Sequence, residues 1–222
     1  MAKLVLVPTP VGNLKDITAR AIEVLNDAGL ILAEDTRHAS KLLRHYGIQT
    51  PVKSHHKFNE HGSIESVARQ ILEGKTVALI SDAGTPAISD PGFLLVRHCI
   101  NLGITVEALP GPTAFIPALA ASGIPCDRFC FEGFLPRKKG RHKKLENLRK
   151  EERTMIFYES PFRLVKALNE MAEAFGSGRK ACVAREISKI YEEYRRGTLG
   201  ELAEYYTEHP PKGELVIIVE GK

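Results

Sequence analysis

The sequence has no long hydrophobic run. Its N-terminal stretch Leu4-Val5-Leu6-Val7 stops at Pro8. That is too short for a signal peptide and far too short for a membrane span. Cysteine is scarce: Cys99, Cys126, Cys130 and Cys182 are scattered over 222 residues. Cys126 and Cys130 have no second pair at zinc-site spacing, which argues against a metal site and for reduced thiols in a cytoplasmic protein. Neither sign of charge dominates. A net charge of +4 permits a nucleic-acid partner without requiring one. Internal repeats and low-complexity segments are absent. So is a phosphate loop. Gly74-Lys75-Thr76 resembles its end, but Arg69 stands where glycine is needed, and the strand follows instead of preceding. What remains is ordinary for a soluble globular chain: 43% hydrophobic and 26% charged, enough for one large or two small domains.

Short apolar runs alternate with helical stripes through the first half. Residues 3–7, 30–33, 77–80 and 104–109 predict buried strands, with residues 51–54 a further, weaker one. Ile17, Ala21, Val24, Leu25 and Ala28 form a helical stripe that Asp16 is expected to cap. Further helices are expected through Leu42 to residue 47, over 64–72 and over 93–99. This alternation predicts a parallel-rich α/β sheet, in which ligands collect at the carboxyl ends of strands. The second half mixes its strands. Residues 129–131, 154–158, 181–185 and 215–219 read as strands, and 190–197 alternates like an antiparallel partner. The expected division is into α/β domains 1–112 and 113–222, the first parallel-rich and the second mixed.

The chain is organised around Ser81-Asp82-Ala83-Gly84-Thr85-Pro86-Ala87-Ile88-Ser89-Asp90-Pro91-Gly92. A structural βα turn needs only a few residues, and this loop uses about a dozen. Small residues let backbone approach a ligand closely. Ser89 or Asp90 is the expected cap of the next helix, with Pro91 at its first position. Similar Pro- and Gly-rich loops follow Val7 and Leu109, so three loops share one sheet edge.

Three charged stretches carry candidate chemistry. Glu34-Asp35-Thr36-Arg37 ends a strand, where a βα fold carries its reactive groups; helix capping by Asp35 or Thr36 explains one residue of the four. Arg185-Glu186-Ile187-Ser188-Lys189 ends another strand, with a surface turn held by local ion pairs as the alternative. Residues 137–144 hold Arg137, Lys138, Lys139, Arg141, Lys143 and Lys144. Cations at a helix N-terminus oppose the helix dipole, so such a run predicts an anionic partner, a phosphate above all. His55, His56 and His61 fit no zinc spacing and are expected in a solvated or substrate-touching loop.

Eight motifs occur in one order: Val7-Pro8-Thr9-Pro10-Val11-Gly12-Asn13-Leu14, Ala33-Glu34-Asp35-Thr36-Arg37, Ser81-Asp82-Ala83-Gly84-Thr85-Pro86, Leu109-Pro110-Gly111-Pro112, Phe131-Glu132-Gly133-Phe134-Leu135-Pro136, Tyr158-Glu159-Ser160-Pro161, Arg185-Glu186-Ile187 and Gly213-Glu214. Together they resemble the ribosomal RNA small subunit methyltransferase I family, class III S-adenosylmethionine (SAM) methyltransferases of the tetrapyrrole-methylase fold. The resemblance implies two α/β domains with SAM in the cleft between them, a homodimer, and 2′-O-methylation of a decoding-centre cytidine in the 16S rRNA of the small subunit. It assigns SAM to Pro8, Gly12, Asp82, Gly84, Thr85, Pro86, Gly111, Pro112, Thr113 and Ala114. Larger members continue past the last strand with a helical extension. This sequence ends at Lys222, so RNA contacts made by such an extension are expected to be missing. A tetrapyrrole methylase and a non-catalytic RNA-binding relative are the competing readings.

A ribose hydroxyl needs a general base, or a cation for the developing alkoxide. Glu34, Asp35, Arg37, Glu186 and Lys189 are the catalytic candidates, with Arg37 or Lys189 as the cation. Phe58, Phe134 or Tyr158 is available to stack an unpaired base.

Overall fold

The computed structural model describes residues 2–56 and 60–222, the side chains of residues 60 and 61 excepted. The chain divides into two compact units, Met1–Thr113 and Ala114–Lys222.

Among the described residues, unit 1 has five strands: β1 Leu4–Leu6, β2 Leu30–Ala33, β3 Val52–Ser54, β4 Val77–Ile80 and β5 Val106–Ala108. All pair in parallel, in the order β3-β2-β4-β1-β5. Helices α1 Ala19–Asp27, α2 Thr36–His45, α3 Glu60–Leu72 and α4 Phe93–Asn101 cover it. The period of two along each strand sorts the side chains between two cores. Leu4, Leu32 and Leu79 pack with Val67 and Ile71 of α3 and Leu95 of α4. Val5, Ile31 and Ala78 pack with Leu25 of α1 and Leu43 of α2. Burial on both faces is why these strands read as unbroken apolar runs.

Unit 2 carries a mixed sheet, as its irregular alternation predicted. Its strands are β6 Phe129–Phe134, β7 Thr154–Glu159, β8 Lys180–Arg185, β9 Glu193–Thr198 and β10 Leu215–Val219. Their order is β6-β7-β10-β8-β9, with only the β6–β7 pair parallel. Helices α6 Arg141–Leu148, α7 Leu164–Phe175 and α8 Leu199–Glu208 share a core with Met155, Phe157, Val183 and Ile217. Helix α5 Phe115–Ala120 packs Ala118 and Leu119 against Ile156, Cys182 and Ile218. No helix of the described residues is long and apolar enough to cross a membrane.

A reciprocal capping box starts α8: Glu201 N–H donates to Thr198 Oγ1 (3.2 Å), and Thr198 N–H donates to Glu201 Oε2 (2.8 Å). Thr198→Ala is expected to lower unfolding free energy by about 1 kcal/mol. Urea denaturation reads this, and SAM affinity should not change.

Several local expectations give way to tertiary contacts. Asp16 lies within a 3₁₀ turn that Asn13 caps, and Thr18 caps α1. Helix α4 starts at Phe93, after Gly92, and neither Ser89 nor Asp90 caps it. Ala87 (φ 68°) and Ser89 (φ 66°) bend the preceding loop through left-handed backbone. Gly92 (φ 133°) leaves no room for a side chain, because a Cβ there would sit 2.7 Å from Leu79 Cδ2. Strand β6 runs on through Phe134, with a register shift between Phe131 and Gly133. His55 is buried (1% exposed) against Ser63, with Nδ1 3.1 Å from the hydroxyl, so it does not sit in a solvated loop. Phe58 and the His61 side chain lie outside the described residues.

Candidate active site

The parallel sheet brings the loops after β1, β4 and β5 to one edge of unit 1, and backbone hydrogen bonds knit them together. Thr9 and Gly84 exchange two bonds, Thr9 N–H to Gly84 O (2.9 Å) and Gly84 N–H to Thr9 O (2.8 Å). The Thr9 hydroxyl donates to Ser81 O (3.0 Å). The Thr85 hydroxyl donates to Pro112 O (3.2 Å), joining the second loop to the third. Gly84 adopts φ 82°, which glycine reaches without strain. Gly111 lies against the Pro8 ring so closely that a Cβ would fall 2.8 Å from Pro8 Cβ. Pro8, Gly84, Thr85, Gly111 and Pro112 are thus joined by direct contact. Gly12, Pro86 and Thr113 lie in the same loops. Ala114 opens unit 2 as the N-cap of α5.

An acidic group sits at the ends of β2 and β4. Burial raises the pKa of Glu34; Asp82 and Asp35 raise it further, and His56 opposes them. Burial, and then the charge of Glu34, push Asp90 up to about 6, against a hydrogen bond from Ser81. Asp82 Oδ1 accepts the Asp35 N–H (3.2 Å), which ties the loop after β4 to the end of β2. No group of three or more His, Cys, Asp or Glu among the described residues has metal-site geometry.

Asp35 and Arg37 are bound to each other. Asp35 Oδ1 accepts the Arg37 N–H (2.8 Å), which caps α2. The same carboxylate holds Arg37 Nε (3.0 Å) and Nη2 (2.6 Å). These bonds hold the Asp35 carboxyl well below the usual carboxylate range, so it is a weak base. Arg37 keeps its charge and projects into solvent, its side chain 88% exposed.

Unit 2 holds the other candidates. Lys189 Nζ donates to Glu186 Oε1 (2.8 Å) and Glu214 Oε2 (3.0 Å), and Glu186 also accepts the Glu214 N–H (2.9 Å). Burial pushes the Glu186 pKa up, but Lys189 and the Glu214 amide outweigh it and the net shift is down. Glu186 (φ 51°) and Ser188 (φ 64°) carry this turn through left-handed backbone. A local ion-pair turn accounts for these residues.

The basic run is not uniformly exposed. Arg141, expected among the surface cations, is only 6% exposed. Its Nε donates to Glu170 Oε2 (2.5 Å), and its Nη1 donates to Pro136 O (3.2 Å) and lies 3.7 Å from Glu159 Oε2. Arg141 shares a helical face with Leu145 and Leu148, and that face is the buried one. Lys144 pairs with Glu132. Arg137, Lys138, Lys139 and Lys143 remain exposed. Phe134 is exposed too, and its ring lies 5.6 Å from that of Tyr158.

Sequence reasoning missed Asp82 and Asp90 as members of an acidic group. Their partner Glu34 comes from a different strand, and no local pattern announces such a meeting.

Residues 3–203 match the tetrapyrrole (corrin/porphyrin) methylase family. A Haemophilus influenzae protein, ribosomal RNA small subunit methyltransferase I, is 51% identical over 99% of this chain and 78% of its own length. The Thermotoga maritima protein of that name is 45% identical, with both chains covered completely. Among solved structures, diphthine synthase superposes with a TM-score of 0.77 at 13% identity, covering 99% of this chain and 90% of that one. Cobalt precorrin-4 methyltransferase superposes at 0.72 and 19%, covering 98% and 94%. At such identities these likenesses concern the fold alone. The fold class and the order of motifs read from the sequence stand with these findings, and the chain belongs to the tetrapyrrole methylase family and, within it, to the ribosomal RNA small subunit methyltransferase I group.

Proposed function

We propose that this chain transfers a methyl group from SAM to the ribose 2′-oxygen of a decoding-centre cytidine in small-subunit rRNA. The observation that carries this reading is 45–51% identity, over nearly the whole chain, to proteins named for small-subunit rRNA methylation. Small-subunit rRNA and a second copy of the chain are the partners we assign, in the cytoplasm.

The knitted loops suit SAM chemically. A sulfonium is a cation without hydrogen-bond donors, so carbonyl oxygens and a negative field favour it. The loops after β1, β4 and β5 are built of small residues that let a ligand approach the backbone closely, and Glu34, Asp82 and Asp90 supply the field. When bound, SAM supplies an electrophilic methyl group, and no further cofactor is needed. The chain's own part would be to hold the ribose hydroxyl in line with that methyl group and to take up the hydroxyl proton at a base. We assign the base to Asp90, with burial, and then Glu34, holding its pKa up. A carboxylate near pKa 6 is a stronger base than an ordinary one and is still ionised at pH 7. Arg37, anchored on Asp35 and otherwise exposed, is assigned to the developing alkoxide. Asp35 positions Arg37.

The pH dependence follows from Asp90. The single-turnover rate should rise with pH on a limb near 6. Asp90→Asn should abolish that limb and slow transfer about 100-fold. Stability runs the other way. A carboxyl whose folded pKa lies above its unfolded value stabilises the fold below pH 4, and the contribution is lost as pH rises to about 6. Asp90→Asn should flatten urea midpoints across that window. A retained limb in a folded Asp90→Asn protein would remove Asp90 as the base.

The reading as a whole is tested by incubating the full chain with tritiated SAM and undermethylated small subunits, with uroporphyrinogen in parallel. Label in rRNA supports it. Label only in the tetrapyrrole refutes it, and bound SAM with no label in either would favour a non-catalytic RNA-binding relative.

A further inference from the structure

Helices α6 and α7 enclose a groove of about 380 Å³ in unit 2. Arg141 forms part of its lining. Its Nε and Nη1 are engaged by Glu170 and Pro136 O, but Nη2 is buried with no partner among the described residues. A guanidinium carries five donors in a fixed fork, and a buried donor left over is rare enough to need an explanation. One explanation is an acceptor that arrives from outside.

Two independent features point to an anion. Gly140 (φ 85°) precedes α6 and offers no side-chain cap; the Arg141 N–H is taken by Lys138 O (3.3 Å), and the next first-turn N–H groups, of His142 and Lys143, have no side-chain cap. The groove is also lined by Arg137, Lys138, Arg149 and Lys166. Three carboxylates share the lining. Glu170 is neutralised by Arg141 and by Lys166 (3.9 Å), while Glu146 and Glu173 leave a surplus of positive charge. Nη2 is buried, so the lining of the groove must open for an anion to reach it. A contact made there is shielded from salt more than one at the surface.

We propose that this groove is a phosphate subsite: one backbone phosphodiester of the RNA takes the spare Nη2 donor of Arg141, while Arg137, Lys138 and Lys166 neutralise its charge. The inference rests on rRNA being the substrate. It replaces a diffuse basic run with a defined seat, whose members come from the loop before α6, from α6 and from α7, and exclude Lys143.

The test has two arms, both on the full chain. In the first, inorganic phosphate is titrated while the ¹⁵N resonances of Arg141 Nε–H and the first-turn amides of α6 are followed. Saturable shifts at those groups are expected, and their absence overturns the subsite without touching the assigned reaction. In the second, binding of an rRNA fragment is measured against salt. Lys166→Ala lies outside the basic run and should weaken binding about fivefold, lowering the salt slope by about one. Lys143→Ala lies in the run but not in the groove and should stay within about twofold. Arg141→Lys keeps the charge but loses the fork, and should resemble Lys166→Ala. Urea denaturation checks that each variant is folded. If Lys143→Ala costs as much as Lys166→Ala, or if Lys166→Ala is silent, the seat is not used by RNA. Failed methyl transfer with the phosphate shifts intact would instead strike the assigned reaction.

Discussion

Gly111→Ala is expected to raise the SAM dissociation constant at least tenfold, a loss of about 1.4 kcal/mol or more. The cause is steric. The new methyl carbon would sit 2.8 Å from Pro8 Cβ and 3.0 Å from its Cγ. A proline ring cannot swing aside, so the first loop must move. Thr9 follows Pro8 and carries both bonds to Gly84 and the hydroxyl bond to Ser81 O. Displacing Pro8 therefore strains the second loop as well, while Thr85 holds that loop to Pro112, next to the mutated residue. Overpacking of this kind also costs about 1–3 kcal/mol of stability. Calorimetry with SAM and urea denaturation separate the two effects. Gly178→Ala is the control, since a Cβ there meets nothing within 4 Å. A folded Gly111→Ala protein that bound SAM normally would show that the contact among the three loops does not shape the cofactor site.

The second large effect is expected at Glu159, the last residue of β7. It is 3% exposed; Oε1 is hydrogen-bonded, while Oε2 has no hydrogen-bond partner among the described residues. Oε1 accepts from Ser160 N–H (2.7 Å) and from Arg163 Nε (2.7 Å), and Oε2 lies 3.7 Å from Arg141 Nη1. Glu159→Gln keeps the shape and removes the charge, leaving a buried guanidinium with one carboxylate fewer. Breaking one partner out of a buried network typically costs 3–5 kcal/mol; Arg163 is partly solvated, so about 3 kcal/mol is expected here. The measurement is the urea midpoint at pH 7. Glu151→Gln, which breaks the exposed pair with Arg153, should lose much less. Equal losses would mean that the network around Glu159 is not a stabilising centre of unit 2.

The strands were the most legible part of the sequence. Leu30–Ala33, Val77–Ile80 and Leu215–Val219 are fully buried, and uninterrupted apolar runs are their local signature. Alternation of those runs with helical stripes was enough to predict the parallel sheet of unit 1. The start of α4 was not legible. Pro91 after Asp90 is a good local start signal, but Gly92 takes φ 133°, a backbone that other residues rarely adopt, and the helix begins after it. Asp90 is thereby left to join Glu34, 56 positions earlier, which no window of sequence reveals. Arg141 is different, because a signal existed. It stands four and seven residues before Leu145 and Leu148, the spacing of one helical face. Its charge argued for solvent, but Glu159 and Glu170 neutralise it inside.

The central claim is that the methyl group goes to one ribose of small-subunit rRNA. It is tested most directly by mapping the label after reaction with undermethylated small subunits. Alkaline hydrolysis cleaves rRNA beside every free 2′-hydroxyl and spares a bond beside a 2′-O-methyl group. The account predicts one alkali-resistant dinucleotide, headed by a decoding-centre cytidine and carrying all the tritium. Label released as base-methylated mononucleotides would contradict it.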